Sequence, residues 1–561
     1  MTRAAPLRIA SGPVRVADAA PEHGPILRRR VHPRRWMFAA LVATVTAGLL
    51  ALGWHVLSAG GWSPWEVALF ACLAANAPWL GLSAATGLLG LLIRCTASDP
   101  ASVAVPLPRG ALDAPVTLRT VLAVCVREEL MDDVLGPLAA LLRGLDRTGF
   151  GDRFGIAILS DTAAGPTADA EAEAVARFAA RIGPDRVLYR RRIANTGFKA
   201  GNVMDFLERH ADCFDLMLAL DADSAMETPA VLRMVRTMQA RPDLALLQST
   251  IAGHRADSPF ARLMGLGHRP GSLTWAVGQG WWQGDEGPFW GHNALLRIAP
   301  FRTHAHLPLL PDGRHILSHD HVEAALLHGA GWGVRVMPDD GGSYERHPPN
   351  LPVFLDRDRR WAAGNMQYRH LLRDRSLGAL GRFQMLQAIL HYALAPLWFA
   401  MLPLAALNAA FDAEGTPRGA LVLLLLLSFA ALHFPRLAGH AVTIGQASPG
   451  IRAARLREAL AESGFLLLFD PVTAYDKTVT VLAHALGRPR AGWPSMQRSA
   501  RRVGWGEAAA RLWPHTLGGF LILGLLLASG SWFALLLGAP AVAGLVLAVP
   551  FSVLTARPDA T

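Results

Sequence analysis

Two acidic residues end a short apolar run near the middle of the chain. Residues 217–224 read MLALDADS, so Asp221 and Asp223 follow Leu220 with one residue between them. Such a run is typical of a buried strand in a parallel sheet, and ligands bind outside the carboxyl ends of these strands. Alternate residues on a strand share a face, so both carboxylates could hold one cation. The alternative is that D-A-D-S only caps the next helix, and the run alone does not decide.

A second predicted strand also ends in an acid, and a third leads into a basic segment. Asp161 follows the apolar residues 154–159, with a helix N-cap as the alternative interpretation. Residues 189–202 read YRRRIANTGFKAGN, which indicates a strand end with three arginines and then a helix start. Cations at a helix N-terminus bind anions, so this segment could hold a diphosphate, and Lys199 is the best candidate. For at least one of the arginines we expect a solvated sheet edge instead.

Three later segments combine charged groups with aromatic side chains. Residues 288–294 read PFWGHNA, a mixture that is typical of carbohydrate sites, although a lone histidine such as His292 is more often structural. Asp320, in LSHDH at 317–321, could be a general base or could cap the following helix. In the segment RDRRW at 357–361, the Arg360 guanidinium could bind a phosphate and the Trp361 indole could stack on the face of a sugar. A polybasic patch on a membrane surface is the rival interpretation.

The segments around these residues alternate between strand and helix patterns. Apolar runs of strand length occupy 116–126, 154–159, 187–189 and 216–220, with amphipathic stretches such as 130–145 and 168–182 between them. This alternation predicts a doubly wound α/β domain with a mostly parallel sheet over residues 98–382. The acids that follow the strands would then face the ligand-binding edge of that sheet.

The rest of the chain is apolar enough to predict a membrane protein. Of 561 residues, 52% are hydrophobic and 17% are charged. We expect a disordered basic tail at 1–35, two transmembrane helices within 36–97, transmembrane or interfacial helices within 383–555 and a short tail at 556–561. Six spans are expected and eight are possible. Residues 456–486 are apolar but carry several acids and Lys477, and a single span there would put the Arg-rich residues 488–511 outside. The positive-inside rule opposes that, so we predict an interfacial or re-entrant hairpin, or two short spans.

The distribution of arginines predicts the orientation of the spans. Arginines precede the apolar run at 36–57, and Arg94 follows the run at 67–93. Positive flanks stay on the inner side of a membrane, so the domain at 98–382 and both termini are predicted to be cytoplasmic. The net charge of +10 does not indicate nucleic-acid binding, because the basic residues flank apolar segments.

Taken in order, the motifs resemble those of processive family 2 glycosyltransferases, which carry an acid, a DxD, an ED-type acid and a QxxRW motif. Here Asp161, DAD at 221–223, SHD at 318–320 and RDRRW at 357–361 follow one another. The segments ILSD, YRRR, LDADS, WGHNA, LSHD and GSYE are similar to the glucans biosynthesis glucosyltransferase H family in particular. Arg357 replaces the Gln of QxxRW, which fits that branch. The first family motif, usually PxYNE, reads VCVRE at 124–128, so only Glu128 carries over.

The resemblance implies a GT-A-like cytoplasmic domain inserted in an α-helical multi-pass membrane bundle, with a role for each matching residue. It implies that Asp320 is the catalytic base and that Asp221 and Asp223 hold Mg²⁺ or Mn²⁺. The residues implied to bind UDP-glucose are Glu128, Asp161, Lys199, Asp221, Asp223 and Arg360. Those implied to bind the acceptor are His292, Asn293 and Trp361.

The resemblance also implies a function, with two alternatives. It implies a processive, inverting enzyme that uses UDP-glucose to build the linear β-1,2-glucan backbone of osmoregulated periplasmic glucans at the cell inner membrane, coupled to export. The implied partners are UDP-glucose, the growing glucan, the lipid bilayer, acyl carrier protein and a periplasmic glucan-processing protein, with no nucleic acid. A cellulose- or hyaluronan-type synthase of another linkage is the first alternative. A membrane protein that only senses a nucleotide sugar is the second, and sensing needs no base such as Asp320.

Overall fold

The computed structural model describes residues 33–254, 256–339, 341–411, 415–488 and 502–557. The tail predicted at 1–35 lies outside these residues except for its last three, which are the first residues of a helix rather than part of a tail. Of the tail predicted at 556–561, residues 558–561 also lie outside the described part.

Two long helices form the N-terminal part. They are α1 (Pro33–Leu57) and α2 (Pro64–Thr96), followed by the short α3 (Pro100–Ala104). Ser63 starts α2 with a capping box, in which its hydroxyl accepts from the Glu66 amide and the Glu66 carboxylate accepts from the Ser63 amide. Both helices contain the apolar runs that predicted them, and both are long and apolar enough to cross a membrane.

The middle of the chain alternates strands and helices as its sequence predicts. In chain order these are β1 (Thr120–Val126), α4 (Met131–Arg147), β2 (Phe154–Ser160), α5 (Pro166–Ile182), β3 (Val187–Arg191), α6 (Phe198–His210), β4 (Leu216–Leu220), β5 (Ala225–Met226), α7 (Thr228–Ala240), β6 (Leu244–Ser249), β7 (Ala252–Gly253), α8 (Pro259–Gln283), β8 (Ala294–Arg297), α9 (Ile298–His304), α10 (Asp320–Gly329), β9 (Gly333–Met337), β10 (Ser343–Glu345) and α11 (Leu351–Gln367).

The described strands form a seven-stranded sheet and a three-stranded sheet. The large sheet has the order β3-β2-β1-β4-β8-β6-β9, in which only β8 runs antiparallel to its neighbours. The small sheet has the order β5-β10-β7. The prediction of a doubly wound, mostly parallel α/β domain is therefore confirmed. In register, Val126 lies opposite Ser160 and Val124 opposite Leu220, so β1, β2 and β4 end at the same edge.

Helices cover both faces of the large sheet. Alternate residues of a strand point to opposite faces, and β1 shows this: Leu122 and Val124 pack in one buried cluster, while Val121 and Ala123 pack in another. The first cluster includes side chains from α4, α5 and α7, and the second includes side chains from α6, α9 and α10. This two-sided core fixes the strand ends rigidly, and the loops that extend from them carry the candidate site.

The chain returns to long helices after α11. These are α12 (Gly378–Ala393), α13 (Ala395–Phe411), α14 (Arg418–Gln446), α15 (Pro449–Ala485), α16 (Trp505–Ala528), α17 (Trp532–Val546) and α18 (Ala548–Thr555). Among the described residues, five helical stretches are long and apolar enough to cross a membrane, or six if α17 and α18, bent by 59°, form one broken span. The higher count agrees with the six expected spans.

The prediction for residues 456–486 is wrong. Residues 456–485 belong to the single helix α15, which continues through Pro471, and not to a hairpin or two short spans. Its buried acid Glu462 is bound by Arg436, at 2.6 Å, and by His440, at 2.9 Å, both on α14. Partners on a neighbouring helix thus satisfy a charge that an isolated apolar helix would bury at high cost.

Helix α8 joins the sheet domain to the N-terminal helices through a close crossing with α2. A Cβ atom placed on Gly278 would lie 2.1 Å from the Thr86 carbonyl oxygen, and one on Gly90 would lie 2.0 Å from the Thr274 carbonyl oxygen. Arg94 strengthens the crossing by donating to the Thr274 hydroxyl at 2.6 Å. Small residues let two helices approach until their backbones touch.

We expect Gly278→Ala to destabilise this crossing. The added methyl group meets backbone rather than a movable side chain, so the free energy of unfolding should fall by about 1–3 kcal/mol. Thermal unfolding of the detergent-solubilised protein measures the change. Gly464→Ala on α15 is the matched control, because nothing described lies within 4 Å of a Cβ atom there. Equal melting temperatures for the two variants would mean that α8 and α2 can move apart enough to accommodate the methyl group.

Candidate active site

One cavity connects the carboxyl edge of the large sheet to the long helices. Its volume is about 1540 Å³. The sheet domain contributes Cys125, Asp161, Lys199, Asp221, Trp275, Trp290, His292, Asp320, Arg360 and Trp361 to its wall, and the long helices contribute Trp79, Trp398, Phe429, His433, Asp470 and Lys477, among others. The structure therefore brings together most of the residues that the sequence predicted for the site.

Asp221 lies directly at the end of β4, where it pairs with Lys199. The Lys199 ammonium is bound to the Asp221 carboxylate and also donates to the Gly291 carbonyl oxygen at 2.8 Å. Burial opposes the charge on Lys199, but Asp221 and other nearby acids outweigh it, so the pKa of Lys199 lies above its ordinary value. Lys199 is thus a fixed cation in the first turn of α6, as the sequence predicts.

The D-A-D-S segment is a turn and not a helix cap. The Asp221 amide donates to the Ser224 hydroxyl at 3.0 Å, and the Ser224 amide donates to the Asp221 carbonyl oxygen at 3.0 Å. Helix α7 begins only at Thr228, after Glu227. The capping alternative is therefore wrong for this segment. Asp223 lies in the same turn, half-buried, and does not line the cavity with Asp221.

Asp161 comes directly after β2 and is held by an arginine that sequence reasoning did not single out. Arg192 donates to both Asp161 carboxylate oxygens at 2.7 Å, and the ion pair is largely buried. Asn195 donates to the Asp161 carbonyl oxygen at 2.9 Å. Asp161 is not an N-cap, because α5 begins at Pro166. The contacts of Arg192 fix the loop that separates β3 from Lys199.

The other two arginines of the YRRR segment do not reach the cavity. Arg190 pairs with Asp205 at 3.2 Å and donates to the Asn202 carbonyl oxygen at 2.8 Å. Arg191 is exposed, as we expected for at least one of the three. None of the three arginines is among the residues of the cavity wall. Lys199 is the cation of this segment that faces Asp221.

Asp320 is the first residue of α10 and lies across the cavity from β4. The helix is preceded by His319, and no described side chain caps it, so the N-cap alternative for Asp320 is also wrong. A Cβ atom on Gly291, whose φ is +88°, would lie 3.6 Å from the Asp320 carboxyl carbon. The Gly291 carbonyl oxygen accepts from Lys199. Gly291 is therefore hydrogen-bonded to Lys199 and lies beside Asp320.

The two histidines beside Asp320 are both partly buried. His319 is hydrogen-bonded to Glu323 at 2.7 Å, and this carboxylate overcomes burial and raises the pKa of His319. For His321, burial outweighs the charge of the neighbouring Asp320 and lowers the pKa. The pair keeps the start of α10 packed and leaves Asp320 as the carboxylate that faces the cavity.

Helix α11 is fastened to the loop that carries Asp320. The Leu317 amide donates to the Gln367 side chain at 2.8 Å, and the Tyr368 hydroxyl donates to the Ser318 carbonyl oxygen at 2.9 Å. A Cβ atom on Gly364 would lie 2.1 Å from the Ser318 hydroxyl oxygen, so this helix requires glycine there. The aromatic end of the RDRRW segment is thereby held at a fixed distance from Asp320.

Trp361 presents an indole to the cavity and has a guanidinium on its face. The side chain of Trp361 is 43% exposed, and the Arg357 guanidinium carbon lies 4.6 Å from its ring centre. Arg357 also pairs with Glu345 at 3.5 Å, and Glu345 lies 3.7 Å from His292. Arg360 lies on the same wall. Sequence reasoning identified Trp361, Arg360 and His292 here, but not Glu345.

Besides Asp223, two further predicted binding residues are not on the cavity wall. Asn293 is fully buried with φ +49°, and its amide donates to the Ser343 hydroxyl at 3.0 Å and to the Tyr344 carbonyl oxygen at 3.2 Å. It therefore fastens β10 and does not line the cavity. Glu128 is exposed in the turn after β1. The wall there is formed by its neighbours Arg127 and Glu129.

The comparisons first define the class of protein. Residues 216–435, from β4 into α14, match the sequence model of the family described as Glycosyl transferase family group 2. The match begins at β4 of the doubly wound domain, and the class of protein is thus a family 2 glycosyltransferase. The solved structure of a mannosyltransferase from Pyrobaculum calidifontis, in complex with GDP-Man and Mn²⁺, is similar with a TM-score of 0.40 and 15% identity, over 72% of this chain and 99% of that chain. At that TM-score the likeness says nothing about the site of this chain.

Curated relatives then define the particular family. The glucans biosynthesis glucosyltransferase H of Bradyrhizobium diazoefficiens is 33% identical over 93% of this chain and 72% of its own length. Those of Caulobacter vibrioides and Cereibacter sphaeroides are 32% and 35% identical, over 95% and 86% of this chain and 83% and 84% of their own. The chain belongs to the glucans biosynthesis glucosyltransferase H family. It is a membrane glucosyltransferase of glucan synthesis, as the order of its motifs predicts.

Proposed function

We propose that this chain is a processive, inverting glucosyltransferase that transfers glucose from UDP-glucose onto a growing β-1,2-glucan and passes the product across the inner membrane. The continuous cavity supports this proposal most strongly, because its wall includes Asp221, Asp320 and Trp361 and then side chains of the long helices. A donor site, a base, a sugar platform and an exit path are the parts that a processive synthase needs.

The proposed donor site uses Asp221, Asp223 and Lys199. Among the residues that the structure describes, no three His, Cys, Asp or Glu side chains form a group that could hold a metal ion alone. Two half-buried carboxylates in one turn fit Mg²⁺ or Mn²⁺ that is bound together with a diphosphate, since oxygen ligands suit these ions and phosphates complete their coordination. When bound, the ion would supply positive charge beside the leaving UDP.

Lys199 adds a fixed cation at the same place. Its ammonium is already held by Asp221 and by the Gly291 carbonyl oxygen, so no reorganisation is needed to present it. A preorganised cation stabilises negative charge that develops in a transition state more than water does. We place Lys199 and Arg360 at the diphosphate, and Asp161, held by Arg192, on the nucleoside side.

Asp320 is the proposed general base. A hydroxyl of the acceptor sugar attacks the anomeric carbon of the donor from the face opposite UDP, and its proton passes to the Asp320 carboxylate. The new bond is then β because the donor is an α-glucoside, and the electron pair of the broken bond leaves with UDP. Asp320 lies on the cavity wall beside Gly291. No covalent intermediate with the protein is required.

Trp361 and Arg357 form the proposed acceptor platform, with His292 beside them. An indole can stack on the apolar face of a glucose ring. The Arg357 guanidinium over the Trp361 ring limits how the indole can turn. Beyond Trp361 the cavity wall continues with Trp79, Trp398 and other side chains of the long helices. We infer that the glucan leaves along this path, so that synthesis and export are coupled.

The proposed organisation of the chain places the catalytic domain between two sets of membrane helices. We propose membrane helices within 36–97 and within 383–555, with the catalytic domain at 98–382 and both termini in the cytoplasm of the cell that carries this inner-membrane protein. The α/β elements from β1 to α11 lie within that central range. The family resemblance also predicts that acyl carrier protein and a periplasmic glucan-processing protein bind this chain, and both partners stay predictions.

Incubation of membranes with labelled UDP-sugars tests the proposed function. We expect UDP-glucose alone among common UDP-sugars to give a polymer, and digestion with linkage analysis to give β-1,2 bonds. A polymer of another sugar or linkage would favour a cellulose- or hyaluronan-type synthase. Nucleotide binding without any polymer would favour a sensor. Membranes from cells without the protein are the control.

A further inference from the structure

Helix α11 carries two sets of side chains that point in different directions. Arg357, Arg360 and Trp361 line the cavity. Their neighbours Asp356, Asp358 and Arg359 bind the long helices instead. The RDRRW segment is therefore both a part of the site and an attachment to the helical bundle.

The attachment of Arg359 to α15 is the most buried ion pair among these contacts. The Arg359 Nε atom donates to the Asp476 carboxylate at 2.9 Å, and its Nη2 atom donates to the other carboxylate oxygen, which makes the pair bidentate. The Asp476 side chain is 4% exposed and that of Arg359 24%. A planar guanidinium bound through two hydrogen bonds fixes orientation as well as distance.

Two further contacts anchor the same helix. The Tyr392 hydroxyl, on α12, donates to the buried Asp358 carboxylate at 3.1 Å. Asp356 is bound by Arg511 of α16. Three different helices of the bundle thus contact three charged residues within one turn of α11, and the ion pair with Asp476 is better enclosed than the pair with Arg511.

A buried acid in an apolar helix calls for an explanation. Asp476 lies in α15 among Val472, Thr473 and Thr480, all buried, and a carboxylate at such a place is costly unless it is paired or functional. The next residue, Lys477, faces the cavity, with its Nζ atom 2.9 Å from His391 and 5.2 Å from the ring centre of Tyr392. Consecutive residues of α15 therefore hold α11 and line the cavity.

We propose that Arg359 and Asp476 are a positioning pair, which fixes α11 so that Trp361 meets the acceptor at the distance that transfer requires. The inference rests on the proposed function, because it assigns the pair to the acceptor side of that site. The donor-side residues Asp221, Lys199 and Asp161 lie at the ends of β4 and β2 and on α6, away from both partners. Of the residues placed at the donor site, Arg360 is the one on α11, so the pair acts chiefly on transfer to the glucan and little on nucleotide binding.

Substitution of the pair tests this role. Asp476→Asn and Arg359→Gln keep a polar side chain at each position and remove one charge each. We expect each to lower transfer to glucan by on the order of 10- to 100-fold, since small displacements of reacting groups have effects of this size. We also expect shorter glucans and a larger share of UDP-glucose lost to water, while the affinity for UDP stays within about twofold of wild type.

The double variant distinguishes a pair from two independent residues. If Arg359 and Asp476 act as one unit, Arg359→Gln/Asp476→Asn should be no worse than the worse single variant, because neither charge is left unpaired. Multiplying defects would overturn the pairing. Loss of UDP binding together with transfer would overturn the positioning role in favour of a purely structural one.

A control on the same helix completes the experiment. Glu458→Gln removes an exposed ion pair with Arg455, at 2.8 Å, from the start of α15, and should leave transfer and glucan length unchanged. Wild-type transfer and glucan length in Asp476→Asn would overturn the proposal. Absence of any polymer from wild-type membranes would instead reject the proposed function, so the two failures are distinguishable.

Discussion

Asp320→Asn is expected to abolish glucan synthesis while UDP still binds. The substitution keeps the shape of the side chain at the start of α10 but removes its capacity to accept a proton from the acceptor hydroxyl. Loss of a general base lowers a rate by about 10²–10⁴-fold. The donor-side contacts do not include Asp320: Lys199 keeps its bonds to Asp221 and to the Gly291 carbonyl oxygen.

Two measurements on the same membranes check this expectation. Incorporation of labelled glucose reports transfer, and equilibrium binding of UDP reports the donor site. Asp312→Asn is the matched control, because Asp312 lies in the loop before α10, is about half exposed and pairs locally with Arg314 at 2.6 Å. Normal glucan synthesis in the Asp320 variant would remove Asp320 from the mechanism. Loss of UDP binding would move it to the donor site.

The strand ends of the catalytic domain could be predicted because they depend on local sequence. An apolar run of strand length with an acid at its end specifies where a buried strand stops and which side chain stands at the edge of the sheet. Asp221 comes after Leu220, the last residue of β4, and Asp161 after Ser160, the last residue of β2. Parallel strands then bring these acids to one edge, whatever the loops between them do.

The partners of these acids could not be predicted, because they depend on packing between distant segments. Arg192 meets Asp161 because β3 pairs with β2, and Lys199 meets Asp221 because α6 packs on the sheet. Asn293 shows the reverse error. Its motif indicates a sugar site, but the left-handed backbone after Gly291 turns its amide into the protein, toward β10. A sequence motif does not specify which way each of its side chains points.

The error at residues 456–486 has a similar physical cause. A hairpin is predicted because a single apolar span with several acids would place the arginines that follow it on the outer side of the membrane. In the structure, Glu462 is bound by Arg436 and His440, and Asp476 is bound by Arg359. Paired charges no longer oppose a continuous helix, and the pairing with Arg359 joins positions 117 residues apart in the chain. Among the acids of residues 456–486, Asp476 is the one that connects the bundle to the catalytic domain.

Asp223→Ala is expected to remove the dependence of nucleotide binding on a divalent cation. The turn after β4 offers two carboxylates, and Asp221 is already shared with Lys199. Without Asp223 the turn keeps a single carboxylate, which is already paired with Lys199, and this weakens the binding of Mg²⁺ beside a diphosphate. We expect the ratio of UDP affinities with and without Mg²⁺ to fall to about one, and transfer to fall by on the order of 100-fold or more.

Titration of UDP with and without Mg²⁺ measures this ratio independently of activity, and Mn²⁺ binding monitored by its spin signal gives a second readout. Asp212→Ala is the control, because Asp212 is an exposed acid that pairs with Arg302 at 2.7 Å, away from the cavity wall. An unchanged ratio in the Asp223 variant would mean that Asp223 only supports the turn. The cation would then have to be held by Asp221 in exchange for Lys199, and Asp221→Asn would become the variant that loses it.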